Sequence, residues 1–286
     1  MLEVKGESFI IKLIGLDLDG TLLTEKKKLT DANKTALEEA WRSGAYIVPV
    51  TGRPLKGIPH AVRELPFIKY VITSNGAVTT DREKGEAIRE RCMTTETAEA
   101  VLRAAHGEDT ILEYFARGTG FHDEATRNLL WKRFEGTPIL HYLEESRKKV
   151  EDFFGSLRAC SDGIENLSVM CTSQEARDMV IENLGGIDQI RIILPWKTDI
   201  EIVSSNADKG EALLALAEGL GLARDEVMAM GDGCNDIGMM KAAGLSVAMG
   251  NSTDEVLEAA DFSTLDNDHD GVAHAINQFV LGKGEQ

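Results

Sequence analysis

Residues 9–23 read Phe9-Ile10-Ile11-Lys12-Leu13-Ile14-Gly15-Leu16-Asp17-Leu18-Asp19-Gly20-Thr21-Leu22-Leu23. An apolar run ends on two carboxylates and a glycine. A continuous apolar run bounded by a polar turn suits a strand buried on both faces, as in a parallel sheet. The same grammar recurs along the chain. Residues 45–50 run into Thr51 and Gly52, and 70–72 into Thr73, Ser74, Asn75 and Gly76. Residues 227–230 run into Gly231 and Asp232, and 246–249 into Gly250 and Asn251. Helical segments lie between. Thr30 can cap a helix that ends near Gly44, with Leu37, Ala40 and Trp41 as its inward face. Residues 209–220 carry Leu213, Leu216, Ala217 and Leu220 on one stripe, and 235–243 and 253–260 read as two more helices. Such alternation predicts a doubly wound parallel α/β sheet. Ligands of these sheets bind beyond the C-terminal ends of the strands, where all the polar turns above fall.

Between 85 and 198 the pattern changes. The spacing predicts a helix over 96–106, a strand over 110–116 and helical stretches at 124–134 and 144–154. A strand over 166–172, a helix over 173–184 and strands over 190–194 and 199–203 follow. This mixture lacks the polar strand ends of the flanking parts. It reads as an inserted α+β module, residues 85–198, lying as a lid over a core made of 1–84 and 199–286.

Composition narrows the classes. Of 286 residues, 43% are hydrophobic and 28% charged, enough apolar surface for a proper core. The strongest apolar stretch, 9–18, is broken by Lys12 and Asp17, so it does not read as a membrane span. Glu3, Lys5 and Glu7 precede it, which is not the order of a secretory signal. The cysteines at 92, 160, 171 and 234 show no paired spacing, which argues against a zinc site or disulfide framework and for a cytoplasmic location. A net charge of −17 disfavours nucleic acid and anionic membranes as partners. If the substrate is itself an anion, a metal ion and a few fixed cations must invert the potential inside the site.

Asp17 and Asp19, two residues apart at a strand end, can converge on one ligand. Phosphoryl transfer requires an in-line nucleophile and a proton donor for the leaving oxygen, and a carboxylate pair with a metal supplies both. The competing reading is a solvated turn bent at Gly20. With Val50-Thr51-Gly52-Arg53, Lys209-Gly210 and Gly231-Asp232-Gly233-Cys234-Asn235-Asp236, the stretch Asp17 to Leu23 resembles the four motifs of the haloacid dehalogenase (HAD) superfamily, in order. Ser74-Asn75-Gly76-Ala77, Ala248-Met249-Gly250-Asn251 and Asp270-Gly271-Val272 resemble segments of its Cof-like subfamily IIB. Asp17 and Thr51 are only 34 positions apart, which leaves no room for a lid there. A long insertion between Thr51 and Lys209 resembles a type-2 cap.

The resemblance implies a Rossmann-like core and a Mg2+-dependent phosphatase acting on small phosphorylated metabolites: sugar phosphates, nucleotides or phosphorylated cofactors. It implies Asp17 as nucleophile, forming an aspartyl phosphate, and Asp19 as acid and then base. It implies magnesium held by the Asp17 carboxylate, the Asp19 carbonyl and Asp232, with Asp236 acting from behind these ligands. Thr51, Lys209, Asn235 and the backbone near Gly20 and Gly52 would hold phosphate. Arg53 reads equally as a partner of a core carboxylate. Asn75 and Asn251 read as turn-formers, Cys234 as packing and Asp270 as structural, while His269 is assigned nothing. In the lid, Tyr114, Arg117, His122 and Arg127 are candidates for facing the leaving group, each outweighed by a reading as solvated surface. The alternatives are a phosphomutase on the same core, which also keeps both acids, and an idle HAD-like binding protein.

Overall fold

The computed structural model describes residues 10–161 and 163–283. Phe9, which opens the expected first strand, lies outside them, as do Glu3, Lys5 and Glu7. The central sheet has five strands in the order Phe262–Ser263, Leu245–Ala248, Val227–Gly231, Leu13–Leu16, Tyr46–Pro49. All four pairings are parallel. A parallel bridge between Val50 and Ile72 brings in Tyr70–Thr73, which continues as an antiparallel sheet through Val78–Asp81 and Glu86–Glu90.

The strand Leu13–Leu16 is buried along its length because helices cover both faces. Ile14 and Leu16 pack with Leu37 and Ala40 of Asp31–Arg42 and with Ile276 of Gly271–Phe279. Leu13 packs on the other side with Leu213 and Leu216 of Lys209–Gly219. A Cβ on Gly15 would stand 2.6 Å from Leu213 Cδ2, so glycine lets this helix lie close on the sheet. Thr30 caps the first helix as its sequence suggests, its hydroxyl accepting from the Asn33 amide. Trp41 departs from expectation: it is 45% exposed and stacks on Phe67 at the rim. One residue beyond Ala40 turns the side chain by about 100° out of the buried stripe.

Register decides where the loops emerge. Leu16 lies opposite Met230 and Pro49, and Gly231 opposite Ala248. The strands therefore stop nearly level, and Asp17, Thr51, Asp232 and Asn251 leave the sheet on one side.

A second sheet has six strands, in the order Ile190–Ile193, Asp199–Ser204, Asn166–Cys171, Thr110–Ala116, Thr119–His122, Arg147–Lys149. It takes in Asp199–Ser204, so it runs past the expected boundary at 198, with Ile200 and Ile202 buried in its own apolar cluster. At the other end, Glu86–Glu90 pairs with the core hairpin rather than with this sheet. The helix expected over 144–154 is in fact the end of Pro138–Ser146, the strand Arg147–Lys149 and a separate helix Phe153–Arg158, started by the Asp152 side chain accepting from the Gly155 amide.

Strand alternation sorts the faces of this sheet. Leu112, Tyr114, Leu167 and Val169 face the helices Thr95–Ala105, Phe153–Arg158 and Gln174–Leu184. On the opposite face Ile111 and Met170 are covered by Leu130 and Leu143. Further along that face Phe115, Asn166, Ser168 and Glu201 look onto a cleft over the ends of the central strands. Among the described residues no helix is long and apolar enough to cross a membrane.

Candidate active site

The floor of the cleft is built around one buried cation. Lys209 Nζ lies 2.7 Å from Asp17 Oδ1 and 2.7 Å from Asp236 Oδ1. The lysine opens its helix, whose start is capped by Asp208 accepting from the amides of Gly210 and Glu211. Asp236 Oδ2 accepts from the amides of Asp232 (3.0 Å) and Gly233 (2.9 Å), so both its oxygens are engaged. Asp232 accepts from the Thr21 hydroxyl at 2.9 Å and from Asn251 Nδ2 at 3.4 Å. The same Asn251 amide donates to the Gly20 carbonyl at 2.9 Å, tying the first and fourth motifs together. Gly20 has φ +84°, and a Cβ there would stand 2.3 Å from Asp232 Oδ2. Only glycine allows this approach.

Asp17, Asp232 and Asp236 each present an oxygen within 4.8 Å of the others. Such a set of hard oxygen donors fits a divalent cation such as magnesium. The crowding disfavours the charged forms of these carboxyls. Burial pushes Asp17 well above the usual carboxylate range; Lys209 pulls it back, while Asp236, Asp19 and Asp232 push it further up. Burial, with Asp236, pushes Asp232 up to about 6. One lysine thus faces three carboxylates, and a divalent cation would relieve the excess charge.

Asp19 stands apart from this triad. Arg53 donates from Nε to Oδ2 at 2.6 Å and from Nη2 to Oδ1 at 2.8 Å, and Lys27 Nζ lies 2.8 Å from Oδ1. Burial works to raise its pKa, but the Arg53 hydrogen bonds and the Arg53 and Lys27 charges outweigh it and hold this carboxyl well below its ordinary range. Arg53 also donates to the Gly57 carbonyl at 2.9 Å and lies 4.6 Å over the Tyr142 ring, which belongs to the lid. Of the two readings open for Arg53, the structure shows the carboxylate partner.

Asp17, Asp19, Gly20, Thr51, Gly52 and Arg53 line the cleft, as do Asp232, Asn235 and Asp236. Lys209 lies beneath them, buried against Asp17. The cleft holds about 880 Å³. Other residues carry more than the sequence suggested. Asn75, in a left-handed conformation at φ 55°, donates to Glu201 Oε2 at 2.6 Å and accepts from Asn235 at 2.9 Å. It joins the core to the lid sheet rather than only shaping a turn. Thr21, Lys27 and Glu201 were not anticipated; the signals were a hydroxyl and a lysine flanking the first motif, and a carboxylate inside an apolar strand. Cys234, expected to pack, is exposed in the cleft wall. Asp270 is structural: it accepts from the Thr30 hydroxyl at 2.6 Å.

None of the four lid candidates lines the cleft, and two are not solvated either. Tyr114 is buried against Phe121 and donates to the Ser156 hydroxyl, and His122 is buried beside Trp131. Arg117 donates to Ser161, and Arg127 lies over Trp131. The residues that do reach the cleft include Phe115, next to Tyr114 on the alternate face, and Tyr142 and Arg147.

The sequence model of the haloacid dehalogenase-like hydrolases matches residues 14–276. A 5-amino-6-(5-phospho-D-ribitylamino)uracil phosphatase of Bacillus subtilis, YcsE, is 32% identical over 283 residues, covering 98% of this chain and 100% of the relative. A solved haloacid dehalogenase-like hydrolase from Bacillus subtilis superposes with a TM-score of 0.82 at 28% identity, covering 94% of this chain and 100% of that one. The HAD subclass IIB sugar phosphatase BT4131 shares the fold, with a TM-score of 0.79 at 24% identity over 94% and 98% of the two chains. The chain belongs to the haloacid dehalogenase-like hydrolases and is an enzyme of their phosphatase branch, Cof-like in its fold and motifs.

Proposed function

We propose that the protein is a magnesium-dependent phosphatase that hydrolyses monoesters of small phosphorylated metabolites through an aspartyl phosphate. The observation that carries this reading is the triad Asp17, Asp232 and Asp236 within 4.8 Å, braced by Lys209. Asp17, the Asp19 carbonyl and Asp232 would hold magnesium, which supplies charge neutralisation for the phosphoryl oxygens. Asp236, with both oxygens occupied by Lys209 and two amides, suits a positioning role.

In this mechanism Lys209 holds Asp17 Oδ1, and among the described residues no donor engages Oδ2. That oxygen attacks phosphorus, forming the P–O bond to Asp17 as the ester P–O bond breaks. Asp19 gives a proton to the leaving oxygen. Water then attacks the same phosphorus, Asp19 takes its proton, and the bond to Asp17 breaks. The Arg53 and Lys27 contacts favour the charged form of Asp19, which suits the second half. The first half requires the Arg53 fork to turn away. Thr51, Asn235, Lys209 and the backbone at Gly20 and Gly52 are the groups we assign to the phosphate oxygens. The six-stranded sheet and its helices, about 95–204, would serve as the lid.

The test is phosphate release from a panel of phosphorylated metabolites, with magnesium or chelator, for the wild type and Asp17→Asn. Magnesium-dependent release that vanishes in the variant is expected. Wild-type release by the variant would overturn the mechanism, and isomerised product formed with a sugar bisphosphate would favour a mutase.

A further inference from the structure

The turn Ser74-Asn75-Gly76, which the chemistry above does not use, is where the core meets the lid. Ser74 and Asn75 both hold left-handed backbone, at φ 51° and 55°. Asparagine tolerates this region better than most residues with a side chain. Two amides hold the conformation: Ser74 donates to the Arg53 carbonyl and Asn75 to the Thr51 carbonyl, each at 3.0 Å. The turn is thus fastened to the loop that carries Thr51, Gly52 and Arg53. Its side chains bind two carboxylates of the lid. The Ser74 hydroxyl donates to Glu165 at 3.0 Å, and Asn75 Nδ2 donates to Glu201 at 2.6 Å. Asn75 is 1% exposed and is not part of the cleft lining, so it can act on a bound ester only through its neighbours.

These contacts have a direction. An ionised carboxylate only accepts hydrogen bonds, whereas a carboxamide has one accepting and one donating end. Glu201 therefore fixes which end of Asn75 faces it, the nitrogen. The Asn75 oxygen is left for a donor, and that donor is Asn235 Nδ2 at 2.9 Å. Asn235 is oriented in turn. Its nitrogen keeps a second hydrogen that no acceptor engages among the described residues, and the side chain stands in the cleft wall. Its oxygen lies back on its own loop, where a Cβ on Gly233 would stand 2.8 Å away. Burial raises the Glu201 carboxyl, while the Asn75 hydrogen bond and the Lys209 and Arg147 charges act against that rise. The contact itself thus favours the charged, accepting form. A reversed amide at Asn235 would turn an oxygen toward a bound phosphate and repel it.

We infer that Asn75 is a positioning residue: it relays the accepting polarity of Glu201 in the lid to Asn235 in the core, so that Asn235 offers an N–H rather than an oxygen to the substrate phosphate. The inference rests on the phosphatase reading, and within it on Asn235 as a phosphate donor. It adds the origin of that donor's orientation. It also gives the lid a part in holding a phosphate it does not touch, since Glu201 orients the amides only while the lid sits on the turn.

The test reads the affinity of inorganic phosphate, as an inhibitor of the hydrolysis of p-nitrophenyl phosphate or of the best ester in the panel above, with magnesium present. Asn75→Gly removes the relay without straining the left-handed turn, and Glu201→Leu removes only the acceptor that orients it. Phosphate should bind roughly tenfold more weakly to the first, the worth of one hydrogen bond to a charged group, and roughly threefold more weakly to the second. Both losses should shrink to less than about twofold when each change is made beside Asn235→Ala, because a relay has no effect without its end point. A merely structural role would carry over into that background undiminished. Losses that persist beside Asn235→Ala would overturn the relay, as would wild-type affinity in Glu201→Leu. If Asn75→Gly does not fold, the two Glu201→Leu proteins decide alone. Undiminished phosphate affinity in Asn235→Ala would remove Asn235 from the phosphate site, and the relay with it, while leaving the phosphatase reading in place. A wild type that releases phosphate from no ester at all would defeat the phosphatase reading itself, and the relay with it.

Discussion

Lys209→Met isolates the electrostatic core of the site. Methionine keeps the length and much of the volume of the buried side chain and removes only the charge. In the wild type Nζ is 2.7 Å from both Asp17 and Asp236, and all three side chains are buried. Removing one partner from a buried ion pair costs about 3–5 kcal/mol, because the remaining charge has neither water nor counterion. At about 2–4 °C per kcal/mol for a chain of this order, the thermal midpoint should fall by roughly 6–20 °C. The loss should depend on pH. Asp17 is already raised by burial, and without Lys209 nothing pulls it back. A carboxyl whose folded pKa lies above its unfolded value makes the fold lose stability as pH rises through that window. The gap to wild type should therefore be wider at about pH 8 than at about pH 5, where the carboxyl can hold its proton. Magnesium should raise the midpoint of the variant, since a divalent cation can take over part of the missing charge. The assay is thermal unfolding of both proteins at the two pH values, with and without magnesium. A variant within about 2 °C of wild type at pH 8, less than about 1 kcal/mol, would refute the reasoning.

Two further outcomes follow from the same geometry. Asp232, raised to about 6 in the metal-free protein, must lose its proton to bind a cation, so magnesium affinity should weaken by up to tenfold per pH unit below that value. Calorimetric titrations across pH 5 to 8 would show it, and a flat affinity would count against Asp232 as a ligand. Gly20→Ala forces a side chain into a φ of +84° and against Asp232 Oδ2. It should cost about 1–2 kcal/mol of backbone strain and a larger share of the turnover, read from the thermal midpoint and kcat. Undiminished kcat would mean that the approach of Gly20 to Asp232 has no part in catalysis.

The core was legible because its determinants are local. Each buried strand ends on residues that could not stay in an apolar layer: Asp17, Thr51, Asp232 and Asn251. Parallel pairing then brings residues far apart in sequence to one edge, as in the contact of Lys209 with Asp17 across 192 positions. The pairing of Arg53 with Asp19 was open to sequence reading only as one of two equal options, since it depends on how a side chain crosses the cleft. The lid was read as elements but not as a surface. On its strand Thr110–Ala116, Tyr114 and Phe115 differ by one position and therefore face opposite ways. The sequence shows the alternation in Glu113, Asn166, Ser168 and Glu201, polar residues set among apolar ones, but not which face looks toward the core. That depends on the helices Glu124–Arg133 and Pro138–Ser146 covering only part of the sheet, which is a matter of tertiary packing. The sheet to which the strand after 198 belongs is hidden for the same reason: Asp199–Ser204 follows a strand in sequence, but it pairs with Asn166–Cys171 through register.

The places where this chain departs from a well-compensated fold are informative in themselves. Most of its polar burial is satisfied in detail: Asp208 caps a helix, Asp270 holds Thr30, and Glu165 takes donors from Ser74 and the Gly118 amide. Against that background the floor of the cleft stands out of balance. Asp17, Asp232 and Asp236 each present an oxygen within 4.8 Å of the others, while Lys209 bonds only Asp17 and Asp236. Sequences hold such local conflicts where function requires them. Excess negative charge gathered at the end of the first strand is what a divalent cation would relieve, and the same cation would let an anionic phosphate approach a site that the carboxylates alone would repel.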